Sequence, residues 1–284
     1  MHALSLHPSA GGCRARRFTL RRLAALAALV AATFGPAAAG AADDADRLDR
    51  ERIRSGVWIG PSVINGLMQL RTDAAASDTS IDYLPAVDLG VELWPEPEIG
   101  VVLAAEIGTG ASISVPFEER TVEVDYNLYR FEAAGRYRWY FGPRSDAPSV
   151  MLHGGLRGRY QTAQEQRPIS ALVDRAVVGP EAGLAFAWPV VGDRLWFRLG
   201  GRAGLPFLVR EPGDDSGQVS GGFTYGAGLD VAVRLVDGWY VQLFADMYDE
   251  ELEFDGDGTR ASGVSGARTH DRYLSGGLGV RYAL

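Results

Sequence analysis

The chain has 284 residues, a formal net charge of −8, 36 glycines, a single cysteine and no lysine. Five of its 28 basic residues and none of its 36 acidic ones precede residue 42, so the remainder sets 23 arginines against 36 carboxylates. Such a balance excludes nucleic acid as a partner, and with Cys13 ahead of residue 42 the rest of the chain has no thiol for a disulfide or a thiolate metal centre.

Residues 1–41 read as a cleaved Sec signal peptide. Arg14, Arg16, Arg17, Arg21 and Arg22 form a basic region, Leu23 to Phe34 is apolar, and Ala37 to Ala42 offers small-residue cleavage sites. The apolar run is too short to span comfortably as a helix. Residues 42–54 read as a charged periplasmic leader.

From Ser55 onward, side chains alternate with period two, which predicts strands. The clearest is 122–141, where Tyr129, Phe131, Ala133, Gly135, Tyr137, Trp139 and Phe141 oppose Arg130, Glu132, Ala134, Arg136 and Arg138. Similar alternation predicts strands at 82–94, 99–113, 149–163, 174–188, 194–210, 218–236, 238–249 and 271–284. A first strand, 56–70, alternates too poorly to phase. Pro180 interrupts the sixth and costs a ladder hydrogen bond unless a bulge absorbs it. The connections alternate short and long. Pro95–Glu98, Gly142–Pro148, Pro189–Asp193 and Val236–Gly238 are short; Arg71–Ile81, Ser114–Thr121, Gln164–Val173, Glu211–Gly217 and Glu250–His270 are long.

This pattern predicts an all-β chain: a transmembrane up-and-down antiparallel β-barrel over 55–284, with ten strands favoured and eight or twelve left open. Soluble strands average about 5–6 residues, far shorter than these. A chain without an apolar helix still crosses a bilayer if a barrel closes, because every backbone group is then paired. All six tryptophans lie near the short-turn side, and Trp139, Trp188 and Trp239, with Tyr282, fall on the apolar phase as an aromatic girdle. Trp94 and Trp196 fall on the charged phase.

The chain resembles bacterial outer-membrane β-barrel proteins, through this strand pattern and through its last strand, Tyr273 to Leu284. There Leu278, Val280, Tyr282 and Leu284 alternate, an aromatic stands two residues before the end, and the terminal residue is Leu284 where the family usually has Phe. The resemblance implies Gram-negative outer-membrane lipid as surroundings, both termini periplasmic, and recognition of the last strand by the barrel-assembly machinery.

With apolar side chains facing lipid, the opposite phase lines the lumen. That phase carries Asp88, Glu92, Glu106, Arg130, Glu132, Arg136, Arg138, Arg157, Arg159, Glu181, Arg198, Arg202, Asp230, Arg234, Asp246 and Arg281. Paired carboxylates and guanidiniums suit a plugged bore, because ten strands enclose little more than eight; a narrow, anion-leaning porin-like channel is the functional alternative. The acidic loop 250–270, with Asp249, Glu250, Glu251, Glu253, Asp255 and Asp257, is the candidate contact for an extracellular partner or cation. Catalysis has thin support: omptin-like hydrolysis would need His270 with Asp271, Asp214 or Asp215 at the outer rim. No cofactor, catalytic residue or metal centre is expected. A soluble periplasmic barrel with an apolar cavity is the remaining alternative.

Overall fold

The computed structural model describes residues 55–73, 76–117, 120–142, 147–163, 172–191, 194–213, 216–256, 258–259 and 266–284, with the side chains of 114–122 excluded. The signal and leader expectations therefore lie outside the described residues, as do Asp214, Asp215 and Asp257.

The strands are β1 (Gly56–Arg71), β2 (Ala76–Leu93), β3 (Ile99–Phe117), β4 (Arg120–Tyr140), β5 (Ser149–Ala163), β6 (Arg175–Val191), β7 (Leu195–Gly204), β8 (Leu208–Arg210), β9 (Gln218–Val236), β10 (Trp239–Asp255) and β11 (Arg268–Ala283). Each pairs antiparallel with its chain neighbours, except that β7 and β8 both pair with β6 and act as one interrupted stave. The last strand returns to the first, with Gly56 opposite Ala283 and Arg71 opposite Arg268. The result is a closed, ten-stave, up-and-down antiparallel barrel, as the alternation predicts.

Prolines account for the interrupted stave. Leu205 donates its backbone N–H to Pro180 (3.1 Å) and Phe207 donates to Val178 (3.1 Å). Pro180 has no N–H to return the bond, and Pro206, between the two donors, has none to offer β9. Pairing of the stave with β9 accordingly ends at Gly204–Thr224.

The strands run further than the alternation suggests. Only Thr72–Ala75 separates β1 from β2, and only residues 118 and 119 separate β3 from β4. Asp249 to Asp255 continues β10 instead of opening the loop expected at 250–270. At the opposite end Asp237 and Gly238 make a two-residue hairpin, with Gly238 at φ +78°. An Asp-Gly pair suits the turn that matches strand twist.

The two phases separate as lipid-facing chemistry requires. Leu103, Phe131, Leu184, Leu199, Leu243, Leu278 and Val280 stand exposed on the outer wall. Trp139, Trp188, Trp239 and Tyr282 are exposed near the short-turn end, with Trp239 against Tyr282 (centroids 4.8 Å) and Trp139 against Tyr137 (4.7 Å). The polarity then inverts toward the long-connection end. Ile64, Met68, Leu70, Ile81, Leu84, Leu128, Leu252 and Phe254 are buried inside as one apolar cluster. Outside, at the same ends of the strands, stand Arg71, Asp78, Glu253 and Arg268. Strands of 15–21 residues outrun the ~9–11 needed to cross a bilayer, and a stretch beyond the hydrocarbon is patterned like a soluble barrel.

Candidate functional site within the barrel

The lumen is built in layers, each from inward side chains of several strands. Near the short turns, Glu92 is fully buried among arginines. It accepts from Arg136 Nη1 (2.6 Å) and Arg281 Nη2 (2.9 Å), and Arg198 Nη1 lies 3.8 Å away. Arg198 is also held by Asp230 (2.8 Å), which accepts a further bond from Gln242 (3.0 Å). Trp94 is buried beneath the guanidinium of Arg138, whose carbon lies 3.6 Å from the ring centroid; Arg138 also donates to Tyr140 (2.8 Å).

Glycine makes room for these inward rings. A Cβ on Gly100 would lie 2.6 Å from the Trp94 ring, and one on Gly90 would lie 2.2 Å from Trp58. Trp58 and Trp94 are therefore lumen groups packed against glycine. Trp58, Trp94 and Trp196 face the bore, where Trp58 donates to Asp88 (2.7 Å) and Trp196 lies beside Arg198 and Arg281.

The middle layer surrounds a polar cavity of about 190 Å³, lined among others by Asp88, Glu132, His153, Arg202 and Asp246. Arg130 pairs with Glu106 and donates to Ser275 (2.7 Å), while Ser62 donates to Glu106 (2.9 Å). Arg202 donates to Asp246 (2.7 Å), and Arg157 lies within 3.4–3.8 Å of Asp246, Glu181 and Glu132. A second cavity of about 100 Å³ lies toward the short turns, beside Glu92, Arg138, Trp196 and Arg281.

Beyond the cavity Arg159 is wholly buried. It pairs with Glu250, donates to Asp271 (2.9 Å) and to the Tyr273 hydroxyl (2.8 Å), and touches Gln161. Arg175 donates to Asp271 (3.0 Å) and to Glu211 (2.7 Å). Tyr126, Tyr248 and Tyr273 complete the network through Gln161 and Glu250. The apolar cluster adjoins this layer.

All sixteen lumen candidates lie on the inward phase of their strands, and fifteen of them join these layers. Arg234 is the exception; it sits at the rim and pairs with the fully exposed Asp237 of the β9–β10 turn. Four further charges belong to the lumen and were not expected there: Arg175, Glu211, Glu250 and Asp271. Three carried a signal. Arg175 shares parity with Glu181, Glu250 with Asp246, and Asp271 with Arg281; ending the strand at 249 hid Glu250, whereas Arg175 and Asp271 stand at the very start of their expected strands. Glu211 follows β8 and turns inward, where it also accepts from the Ser216 N–H (2.7 Å). No periodicity announces it.

His270 and Asp271 do not meet. His270 and Asp271 are consecutive strand residues and face opposite sides of the wall. Asp271 points inward to Arg159 and Arg175, whereas His270 points outward to Asp249. Leu278, Val280, Tyr282 and Leu284, the alternating side chains of the last strand, all lie exposed on the outer wall.

Closure, an even number of staves, an apolar exterior and a charged interior define a transmembrane β-barrel of the bacterial outer-membrane class. No protein-family model matches the chain, and no curated protein matches it. Among solved structures, the outer membrane protease OmpT of Escherichia coli aligns over 81% of this chain and 97% of its own, with 12% identity and a TM-score of 0.49. The translocator domain of the autotransporter NalP of Neisseria meningitidis aligns over 93% and 98%, with 14% identity and a TM-score of 0.43. OprG of Pseudomonas aeruginosa aligns over 82% and 99%, with 11% identity and a TM-score of 0.38. None of these values assigns a role; the barrel is read from this chain's own strand pairing.

Proposed function

We propose that the protein is a non-conducting, non-enzymatic barrel of the outer membrane, a rigid stave ring that displays its long-connection end to the outside. One observation carries this reading. The bore is filled twice over, by the Arg159–Glu250–Asp271–Arg175 layer and by the apolar cluster beyond it. Opening a path would strip fully buried arginines of their carboxylates, which costs several kcal/mol for each pair broken, about 3–5. The β10–β11 connection is the surface we assign to an external partner.

The two ends of the barrel, Gly56 and Ala283, lie together at the short-turn end, which we place in the periplasm by the rule that periplasmic turns are short. The barrel-assembly machinery would read the outer face of β11, which also closes the barrel on β1. Outer-membrane lipid is the surrounding solvent, and no nucleic acid or cofactor enters the reading.

The second reading, a narrow solute channel, draws on the two cavities in the charged half. An anion preference does not follow from them, because the lumen arginines stand among carboxylates. Recordings from the full chain in planar lipid bilayers decide between the two. The closed barrel gives no unit steps in concentrated KCl at either polarity; reproducible steps overturn it and establish the channel.

A further inference from the structure

Away from the lumen, ligating side chains of different chemistry meet on the outer wall where β10 and β11 pair. Asp249, Glu251 and His270 each bring one ligand atom, and these atoms all lie within 4.8 Å of one another. Strand register creates the group. Glu251 stands directly opposite His270, and Asp249 opposite Arg272. All four side chains project from the same face.

The details separate this group from an ordinary row of surface ion pairs. Asp249 is 0% exposed although it faces outward. His270 Nε2 lies 2.6 Å from its Oδ1, and Arg272 Nε lies 2.6 Å from its Oδ2. The carboxylate is thereby fixed with one oxygen turned toward the imidazole. One step outward along the strands, Glu253 has its own guanidinium, with Arg268 Nη2 at 2.6 Å. Glu251 between them is opposed by a histidine, and among the described residues it forms no ion pair or side-chain hydrogen bond. Two carboxylates and an imidazole thus converge beside a single guanidinium, which leaves the spot net negative and open to solvent at Glu251.

We propose that Asp249, Glu251 and His270 form a site for a divalent transition metal of the zinc class. His270 Nε2, Asp249 Oδ1 and one Glu251 oxygen supply three ligands, and water supplies the fourth. Imidazole beside carboxylates suits zinc, whereas calcium and magnesium take oxygen donors only. Arg272 holds the second oxygen of Asp249 and orients it, the part an outer-layer partner plays at such sites. The metal would tie β10 to β11 where both leave the bilayer and enter their outer connection. The site stands apart from the closed lumen and does not depend on it.

Isothermal titration of the full chain in detergent micelles with zinc chloride tests the assignment. One zinc ion binds per chain, and His270→Ala and Glu251→Gln each weaken it by at least about tenfold. Both variants keep the heat-modifiable gel mobility of a folded barrel, since neither group supports the lumen. A cobalt-loaded sample shows visible absorption of a low-coordinate ion, and His270→Ala removes it. Zinc binding that is absent, or equally tight in both variants, overturns the proposal; so does calcium binding more tightly than zinc at the same residues.

Discussion

At the residue scale, the most consequential group is Arg159. It is wholly buried and neutralises Glu250 and Asp271 while also serving Tyr273 and Gln161. Replacing it by Met keeps much of the volume and leaves two buried carboxylates short of their cation. Breaking a buried pair from one side costs about 3–5 kcal/mol. Arg159→Met should therefore lower the temperature at which the folded form converts to the unfolded form in gel-shift assays. Arg159→Met combined with Glu250→Gln and Asp271→Asn should recover part of that loss, because the charges disappear together. A triple variant no more stable than the single one would refute the pairing as the source. Gly100 gives a steric counterpart. A valine there drives Cβ to 2.6 Å from the Trp94 ring, and overpacking of this kind costs about 1–3 kcal/mol. Gly100→Val should lower the same transition and shift tryptophan emission as Trp94 leaves its place beneath Arg138; unchanged emission would show that the ring does not lie on this glycine.

At the element scale, two strands show how far the sequence is legible. β4 is read correctly because its outward residues face hydrocarbon and its lower inward ones are charged, so polarity and parity coincide. β1 resists phasing for a physical reason: its inward residues include Trp58, Ile64, Met68 and Leu70, while Ile59 and Leu67 face out. Both phases are apolar because one meets lipid and the other meets the internal cluster. The end of β10 misleads in the opposite sense. Leu252 and Phe254 are inside and Glu251, Glu253 and Asp255 outside, so the polarity flips while the period persists. A reading that follows charge sees a loop begin at Glu250; one that follows period sees the strand continue. Among the lumen charges, parity is enough wherever the strand is correctly delimited, and it fails for Glu211, which depends on a turn. The interrupted stave offers a test at this scale. Beyond Thr224, β9 pairs with β10 but no longer with the stave beside it. The alternate amides of Val219–Phe223 that face β8 should exchange with deuterium clearly faster than the amides of Thr224–Val233, which are paired on both sides. Equal protection along β9 would mean that the seam is zipped and that Pro206 does not end the ladder.

At the scale of the whole molecule, the inversion of polarity along the barrel defines where the bilayer ends. The lower part is a membrane protein with hydrocarbon outside and ion pairs inside; the outer part is a water-facing barrel around an apolar core. The tryptophans report on this arrangement, because they share one end of the molecule and differ only in the side of the wall they occupy. Trp139, Trp188 and Trp239 are about half exposed on the outer face, whereas Trp94 is buried in the bore. Variants that keep a single tryptophan, refolded into vesicles of brominated phosphatidylcholine, separate the two sets by contact quenching. Trp139, Trp188 and Trp239 should be strongly quenched by lipids brominated near the headgroup end of the chain, where amphipathic rings reside. Trp94 should stay bright at every bromine depth and also resist aqueous iodide, since the wall shields it from lipid and Arg138 covers its ring. Quenching of Trp94 to the same extent as Trp139 would place it on the outer surface, and with it the whole inward phase of β2, including Asp88 and Glu92. That outcome would exchange inside for outside throughout the barrel, so this one residue tests the orientation on which every lumen assignment depends.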